Sequence, residues 1–260
     1  MALFSIITVC FNSGETIEKT LKSVLAQEFK DYEYIIVDGG SRDNTLEILK
    51  KYEELFEGRL KWLSEPDKGI YDAFNKGCRR AKGEFLWLVN SDDAIEPNAL
   101  CKLEEIAKRN VGKCCILTAK MNFRNNNGTI ITSTTPKQES IQKAAKEYHM
   151  GISHPASIYS KKVYEEVGFY DDRYYISGDI DHFIRCVRSN KVEFIPVDEV
   201  ITNMYAGGIS TTFNLKKVNH DWNIRYKKFC NSKFDYIKHM YKENYSYLKK
   251  YIKSTIIRKK

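Results

Sequence analysis

The sequence has 260 residues, of which 42% are hydrophobic and 29% charged, and its formal net charge is +8. This composition is typical of a globular protein and excludes collagen-like, mucin-like and wholly disordered chains. A chain of this length buries enough apolar surface to need no disulfide framework or structural metal. Its seven cysteines are scattered without any C-x-x-C spacing, so we expect them to be reduced.

The positive charge is concentrated at the C-terminal end of the sequence. Residues 216–260 contain fourteen basic and three acidic residues, a net charge of +11, so residues 1–215 carry −3. Aromatic and aliphatic residues recur in this tail mostly at helical spacing, which predicts one or two amphipathic helices. Basic and aromatic side chains together suit an anionic membrane surface, which is the expected partner. The alternative is a helix docked on the body with a solvated lysine face. Nucleic acid is not an expected partner, because no nucleic-acid motif accompanies the charge.

Strands and helices alternate through the first 112 residues. Short apolar and β-branched runs predict buried strands, and the amphipathic segments between them predict helices. The predicted strands are 3–10, 34–37, 60–63 and 85–89, and the predicted helices are 13–27, 44–56, 70–81 and 97–109. Four strand–helix units indicate a parallel sheet with helices on both faces. Ligands bind beyond the carboxyl ends of the strands in such sheets.

Acidic residues follow three of these four strands. Asp38 and Asp67 lie after the second and third, and the adjacent Asp92 and Asp93 lie after the fourth. A single aspartate in such a loop is often a helix N-cap. Two adjacent carboxylates repel each other, however, and a divalent cation such as Mg²⁺ or Mn²⁺ removes that repulsion. The sequence contains no G-x-G-x-x-G, P-loop, H-E-x-x-H or G-x-S-x-G motif, so the corresponding sites are not indicated.

The pattern changes after about residue 113. Runs at 114–122 and 129–132 flank an Asn-Gly turn and predict an antiparallel hairpin. A polar helix near 140–147, a helix that begins near Asp179 and two short strands at 192–195 and 200–205 are expected to follow. We therefore expect one domain at 1–215, with a nucleotide-binding half at 1–112 and an acceptor-binding half at 113–215. The tail at 216–260 follows it.

Four segments together resemble the inverting glycosyltransferases of family two, which have the GT-A fold. They are Ser-Ile-Ile-Thr-Val-Cys-Phe-Asn at 5–12, Ile-Val-Asp-Gly-Gly-Ser-Arg-Asp-Asn-Thr at 36–45, Ser-Glu-Pro-Asp-Lys-Gly-Ile-Tyr-Asp-Ala-Phe-Asn-Lys-Gly at 64–77 and Asn-Ser-Asp-Asp at 90–93. The resemblance extends from about residue 4 to about residue 210. It implies an α/β fold of GT-A type: a central, mostly parallel sheet flanked by helices, here with a basic helical extension.

The resemblance also implies roles for individual residues. Asp38 is expected to accept from a uracil N–H, Asp92 to meet the ribose, and Asp93 to bind the Mn²⁺ or Mg²⁺ that bridges the donor diphosphate. Asp179 is expected to be the general base; it matches the second residue of an acidic pair whose first position is Gly178 here. The remaining expected donor contacts are Thr8, Phe11, Asp67, Lys68, Gly208 and Ser210. The expected acceptor contacts are His154 and Asp181.

The activity that the resemblance implies is transfer of a single sugar from a UDP-sugar, with inversion, to a hydroxyl of a polyprenyl-diphosphate-linked sugar. Similar enzymes build bacterial surface polysaccharides such as O-antigen and capsule. An α-linked donor would then give a β-linked product. We expect a cytoplasmic protein that is peripheral on the inner face of the cytoplasmic membrane.

Two other functional classes remain open from the residues alone. A metal-dependent nucleotidyltransferase also combines an α/β nucleotide domain with acidic metal ligands, although residues 11–14 contain no Lys or Arg for a triphosphate. A non-catalytic module that binds a nucleotide or RNA is the other. Only the enzymes are expected to require a catalytic carboxylate, so substitution of Asp179 separates the binding module from the glycosyltransferase.

Overall fold

In the computed structural model the chain divides into two compact units, Met1–Phe213 and Asn214–Lys260. The structure describes residues 2–125, 127–206, 214–230, 232–237, 239 and 241. The strands are β1 Phe4–Cys10, β2 Tyr32–Asp38, β3 Leu60–Ser64, β4 Phe85–Leu88, β5 Ala94–Ile95, β6 Cys115–Arg124, β7 Ile130–Thr132, β8 Ser157–Ser160 and β9 Glu193–Tyr205. The helices are α1 Ile17–Leu25, α2 Thr45–Glu53, α3 Ile70–Arg80, α4 Ala99–Arg109, α5 Gln138–Lys146, α6 Lys161–Val167, α7 Gly178–Ser189 and α8 Leu215–Phe229.

The strands of the described residues form one sheet in the first unit. Its order is β3-β2-β1-β4-β8-β6-β9-β5, and β7 pairs with β6 at the side. The strands β3, β2, β1 and β4 are mutually parallel, as their helical connections predict. The predicted hairpin is confirmed, because β6 and β7 are antiparallel. The second half also adds an antiparallel β8 between β4 and β6, so the complete sheet is mixed.

The sheet is the centre of the hydrophobic core. Every residue of β1 and of β4 is buried, because helices cover both faces of a parallel sheet. Trp87 in β4 is fully buried, and its indole N–H donates to the Pro155 carbonyl at 2.9 Å. The Thr202 hydroxyl in β9 donates to the same oxygen at 2.8 Å. The core thereby fixes the short 3₁₀ turn His154–Ala156 at the end of the sheet.

Some elements differ from the sequence-based expectations. The short strands β5 and β8 and the helix α6 were not predicted, since pairing within the sheet defines strands too short to show a period. The two predicted strands after residue 192 are a single strand, β9. The register of its pairing with β6 shifts near Lys120, and this irregularity lets the strand continue through Pro196.

The second unit is helical where it is described. Asn214 caps α8, its side-chain oxygen accepting from the Lys217 N–H at 3.1 Å. Residues 233–237 form a further helical segment, and the Tyr236 hydroxyl donates to the Asn223 side chain at 2.5 Å. Residues 242–260 of the predicted tail lie outside the described residues. Within the described part of the chain, we find no helix with the length and apolar character that crossing a membrane requires.

Candidate active site

A cavity of about 670 Å³ opens at the carboxyl ends of β1 and β4. This volume suits a nucleotide sugar, since ligand cavities commonly measure roughly 300–1,000 Å³. The loops after β1, β3 and β4 line it, together with several segments of the second half. The predicted site residues that line the cavity are Phe11, Asp67, Asp92, Asp93, His154 and Asp179.

Asp93 is a deeply buried carboxylate in this lining, with 1% of its surface exposed. Its Oδ2 accepts from the Asn90 side-chain amide at 3.1 Å, and its Oδ1 accepts from the Tyr205 N–H at 3.2 Å. Burial, followed by the charge of the adjacent Asp92, raises the pKa of Asp93 to about 7. The two donors orient the carboxylate without neutralising it, so a bound cation would stabilise its charged form.

Lys19 approaches the same loop from α1. Its Nζ donates to the Asp92 carbonyl oxygen at 2.7 Å and lies 3.3 Å from the centre of the Tyr205 ring. Burial lowers the pKa of Lys19, whereas the charges of Asp93 and Asp92 act in the opposite direction. Sequence analysis missed this lysine, because a lysine within an amphipathic helix carries no motif signal.

The acidic loop suits a divalent cation whose coordination is completed by a substrate. Nowhere among the described residues do three His, Cys, Asp or Glu side chains come together as a metal site. Asp92 and Asp93 offer carboxylate oxygens at the cavity, and the burial of each raises its pKa. Mg²⁺ commonly binds through one or two carboxylates plus substrate phosphates, and Mn²⁺ accepts the same ligands. The donor set therefore suits a metal held jointly with a diphosphate.

Asp38, the expected base contact, is not among the residues that line the cavity. Its carboxylate is fully buried and accepts from the Gly40 and Ser41 N–H groups at 3.0 and 2.9 Å. The Ser41 hydroxyl, the Ser64 hydroxyl at 2.7 Å and the Cys10 thiol at 3.6 Å also donate to it. With five donors on two oxygens, this side chain holds the loop after β2 in place, and its contact with the base stays a prediction.

Asp67 stands at the cavity beside that loop. The Gly69 N–H donates to its Oδ1 at 2.9 Å. Its Oδ2 lies close to Gly39. A Cβ atom added to Gly39 would collide with this oxygen and would lie 3.4 Å from the Phe11 ring, so Asp67 and Phe11 both approach this glycine. Burial raises the pKa of Asp67, and Phe11 exposes 60% of its surface at the same place. An exposed ring beside a partly desolvated carboxylate suits a planar base that carries an N–H donor.

Asp179 reaches the cavity from the first turn of α7, and His154 lies in the same lining. The Tyr71 hydroxyl donates to Asp179 Oδ1 at 3.2 Å. His154 Nε2 lies 3.1 Å from the Tyr170 hydroxyl. Burial lowers the pKa of His154, and the charge of Asp179 acts in the opposite direction. Burial therefore favours the neutral imidazole of His154 on this side of the cavity.

Asp181, the other expected acceptor contact, is fully buried and is not among the residues that line the cavity. Arg185 Nε donates to its Oδ2 at 2.8 Å, and the Tyr174 hydroxyl donates to its Oδ1 at 3.2 Å. The same arginine donates to the Val167 and Phe169 carbonyls, the latter at 2.7 Å. Asp181 thus anchors the segment before α7, while its neighbour Asp179 faces the cavity.

Four further expected donor contacts lie either outside the cavity lining or outside the described residues. Thr8 is fully buried, and its hydroxyl accepts from the Tyr34 hydroxyl at 3.0 Å within the sheet. Lys68 is absent from the cavity lining; its side chain is 80% exposed and lies 4.0 Å from Asp172. Gly208 and Ser210 fall among residues 207–213, which the structure does not describe.

The second half contributes lining that sequence analysis did not anticipate. Its apolar members are Met121, Met150, Ile152, Pro155, Tyr175 and Met204. These residues come from β6, β9 and the loops before β8 and α7, so no local sequence pattern connects them. Flexible methionines and an aromatic ring form a surface that adapts to apolar parts of a ligand.

Residues 5–168 match the family Glycosyl transferase family 2. The chain belongs to this family. The resemblance that the four motifs indicate is therefore confirmed, and the chain is a glycosyltransferase by family.

Two curated relatives show how far the likeness extends along this family 2 glycosyltransferase. It is 42% identical over 90 residues to Rv1514c, an uncharacterized glycosyltransferase of Mycobacterium tuberculosis, a match that spans 34% of this chain and 33% of that protein. It is 28% identical over 217 residues to a PGL/p-HBAD biosynthesis glycosyltransferase of Mycobacterium bovis, spanning 81% and 80%.

Solved structures share its fold. TarS 1–349 of S. aureus, in complex with UDP-GlcNAc, superposes with a TM-score of 0.70 at 20% identity, over 92% of this chain and 69% of that chain. The mannosyltransferase PcManGT of Pyrobaculum calidifontis, in complex with GDP-Man and Mn²⁺, gives 0.60 at 16% identity, over 86% and 60%. At such identities the likeness concerns the fold, and it confirms the predicted GT-A type.

Proposed function

We propose that this glycosyltransferase moves a single sugar from a UDP-sugar to an acceptor hydroxyl with inversion at the anomeric carbon. The observation that carries the proposal is one cavity lined by both the acidic pair Asp92 and Asp93 and the separate carboxylate of Asp179. Displacement of a nucleoside diphosphate needs charge stabilisation at the leaving group and a base at the attacking hydroxyl. The two acidic positions match these two needs.

The donor is bound at the loops after β1, β3 and β4. Phe11 covers one face of the base, Asp67 accepts its N–H, and Asp92 lies where the ribose is expected. The complex of TarS with UDP-GlcNAc supports a UDP-sugar on a fold of this kind.

Asp93 and Asp92 would hold Mn²⁺ or Mg²⁺ together with the donor diphosphate. When bound, the metal would supply a Lewis acid for the negative charge that develops on the leaving group. The Asn90 side-chain amide and the Tyr205 N–H fix the orientation of the Asp93 carboxylate. Lys19, which bonds to the Asp92 carbonyl, adds a nearby positive charge to the same loop.

Asp179 accepts the proton of the acceptor hydroxyl as the new bond forms. General base catalysis of this kind typically contributes about 10²- to 10⁴-fold to the rate. Attack from the face opposite the leaving group converts an α-linked donor into a β-linked product. His154, which is half-buried and favoured in its neutral form, lines the acceptor side of the cavity.

The acceptor is a sugar linked to a polyprenyl diphosphate, as in O-antigen or capsule synthesis. The apolar lining from the second half offers a surface for the non-polar parts of such a molecule. The relative named for PGL/p-HBAD biosynthesis supports a role in making a cell-envelope glycoconjugate. The basic, aromatic tail would keep the enzyme at the inner face of the cytoplasmic membrane, where this acceptor is found.

A donor screen tests the proposal. The purified full chain is incubated with Mn²⁺, a panel of UDP-, GDP- and dTDP-sugars and a synthetic prenyl-diphosphate-linked N-acetylhexosamine. We expect metal-dependent release of UDP from one donor, abolished in Asp93→Asn and Asp179→Asn. The control is Asp198→Asn, whose side chain is 91% exposed outside the cavity lining. An α-linked product from an α-linked donor would refute inversion, and absence of nucleotide binding would refute the donor site.

A further inference from the structure

Gly178 occupies a position where the packing leaves no room for a side chain. It is the first residue of α7, immediately before the cavity-lining Asp179. A Cβ at this glycine would lie 2.9 Å from two carbons of the Tyr71 ring and 3.0 Å from a third. Distances this short force one of the two groups to move, so a larger residue at position 178 would require the Tyr71 ring to shift.

Tyr71 is held firmly in this place. The side chain belongs to the first turn of α3 and is only 4% exposed. Its ring stacks on the ring of Tyr170, with centroids 5.7 Å apart and an interplanar angle of 30°. Its hydroxyl oxygen lies 2.7 Å from the Ile176 carbonyl oxygen and 3.2 Å from Asp179 Oδ1, so its single proton is shared between these two acceptors. One hydroxyl thus joins the segment before α7 to the carboxylate at the cavity.

We propose that Tyr71 is a positioning residue for Asp179, and that residue 178 is glycine because the Tyr71 ring must reach this carboxylate. The Ile180 N–H also donates to Asp179 Oδ1, at 2.9 Å. Together these donors on one oxygen limit the rotation of the carboxylate and leave the other oxygen for the acceptor hydroxyl. A hydrogen bond to a charged oxygen is among the stronger ones in proteins, so it also limits the orientations available during proton transfer. This inference rests on the proposed role of Asp179 as the base.

The test compares Tyr71→Phe with a matched variant. Tyr174→Phe removes another buried tyrosine hydroxyl that donates to an aspartate of α7 at 3.2 Å, but that aspartate, Asp181, lies outside the cavity lining. With the UDP-sugar that turns over in the screen, Tyr71→Phe is expected to lower kcat about tenfold and to change the donor KM less than twofold. Tyr174→Phe is expected to change neither. Equal losses of kcat in the two variants would overturn the proposal.

A second measurement needs no substrate. Protein labelled with ¹³C at the aspartate carboxyl carbon is compared by NMR, with the Asp179 resonance assigned from Asp179→Asn. This resonance is expected to shift in Tyr71→Phe and to stay in place in Tyr174→Phe. An unmoved resonance in Tyr71→Phe would overturn the proposal even if the enzyme were active. A chain that turns over no donor would contradict the proposed function, while the NMR comparison would still decide whether Tyr71 holds Asp179.

Gly178→Ala tests whether the Tyr71 ring needs a glycine at position 178. The added methyl group is expected to displace the Tyr71 ring, to shift the Asp179 resonance and to lower kcat by a similar factor. Because both changes act through one hydroxyl, the double variant Tyr71→Phe/Gly178→Ala should be little worse than either single variant. Gly178→Ala with unchanged kcat and an unchanged resonance would show that the glycine is not required for this contact.

Discussion

Asp93→Asn is expected to stabilise the metal-free protein at neutral and alkaline pH while it abolishes transfer. Burial raises the pKa of Asp93 from its ordinary value of 3.8 to about 7. The folded state therefore binds this proton more tightly than the unfolded state does. The stability that this group contributes is fully present below pH 4 and is lost as the pH rises through about 7.

The magnitude follows from the size of that change. A difference of about three in pKa corresponds to roughly 4 kcal/mol between the charged and neutral forms, at about 1.4 kcal/mol for each factor of ten. Asparagine resembles the neutral carboxyl group at every pH, so any fixed cost of the amide is the same throughout. For a chain of this size, roughly 4 kcal/mol corresponds to a Tm difference on the order of 10 °C.

Thermal unfolding in EDTA between pH 4 and pH 9 measures this effect. The Tm of Asp93→Asn relative to the parent chain is expected to rise with pH and to level off above about pH 7. Asp198→Asn serves as a control of opposite sign, because Lys120 lowers the pKa of that exposed carboxylate. A Tm difference for Asp93→Asn that does not change with pH would refute the conclusion that burial penalises this charge.

Three other outcomes are expected. In the presence of Mn²⁺, the parent chain should bind UDP at least about tenfold more tightly than 3-methyl-UDP, which lacks the N–H of the base. Asp67→Ala should remove this preference, as measured by calorimetry. If the variant kept the same preference for UDP, Asp67 would be excluded as the base contact. Phe11→Ala should weaken UDP binding by about tenfold, because the base loses a ring on which it stacks. The Tm should not fall, because this side chain is 60% exposed. An unchanged affinity for UDP would show that the base binds elsewhere. The full chain should sediment with vesicles that contain anionic lipid, and less of it should do so at high salt. Changing Lys216, Lys217, Lys227 and Lys228 together to Gln should weaken this binding. Equal binding to neutral vesicles would contradict an electrostatic role for the tail.

The acidic loops were predictable because their positions depend on local pattern. Apolar runs and amphipathic segments identify strands and helices, and parallel strands end at the same edge of a sheet. Phe11, Asp67, Asp92 and Asp93 accordingly lie together at the cavity, although they are spread over more than eighty residues of sequence. Asp179 was predictable only through its likeness to a family motif.

The direction in which a side chain points was not predictable in the same way. Asp38 is the last residue of β2 and Asp93 follows β4, yet Asp38 lies outside the cavity lining, where its carboxylate accepts from the hydroxyls of Ser41 and Ser64. Asp181 and Asp179 are two residues apart on α7 and therefore lie on different sides of it. Only the position of Arg185 and of the cavity shows which of them is structural.

The sequence by itself determined the α/β class, the parallel first half, the glycosyltransferase family and the acidic loops, because these follow from periodicity and short motifs. The tertiary structure alone decided which carboxylates line the cavity, that Asp67 and Phe11 both approach Gly39, and that the Tyr71 ring fills the space beside Gly178. These features depend on side chains that are distant in sequence and meet only when the sheet has formed. Packing and hydrogen bonding between them, rather than any local preference, determine the geometry of the site.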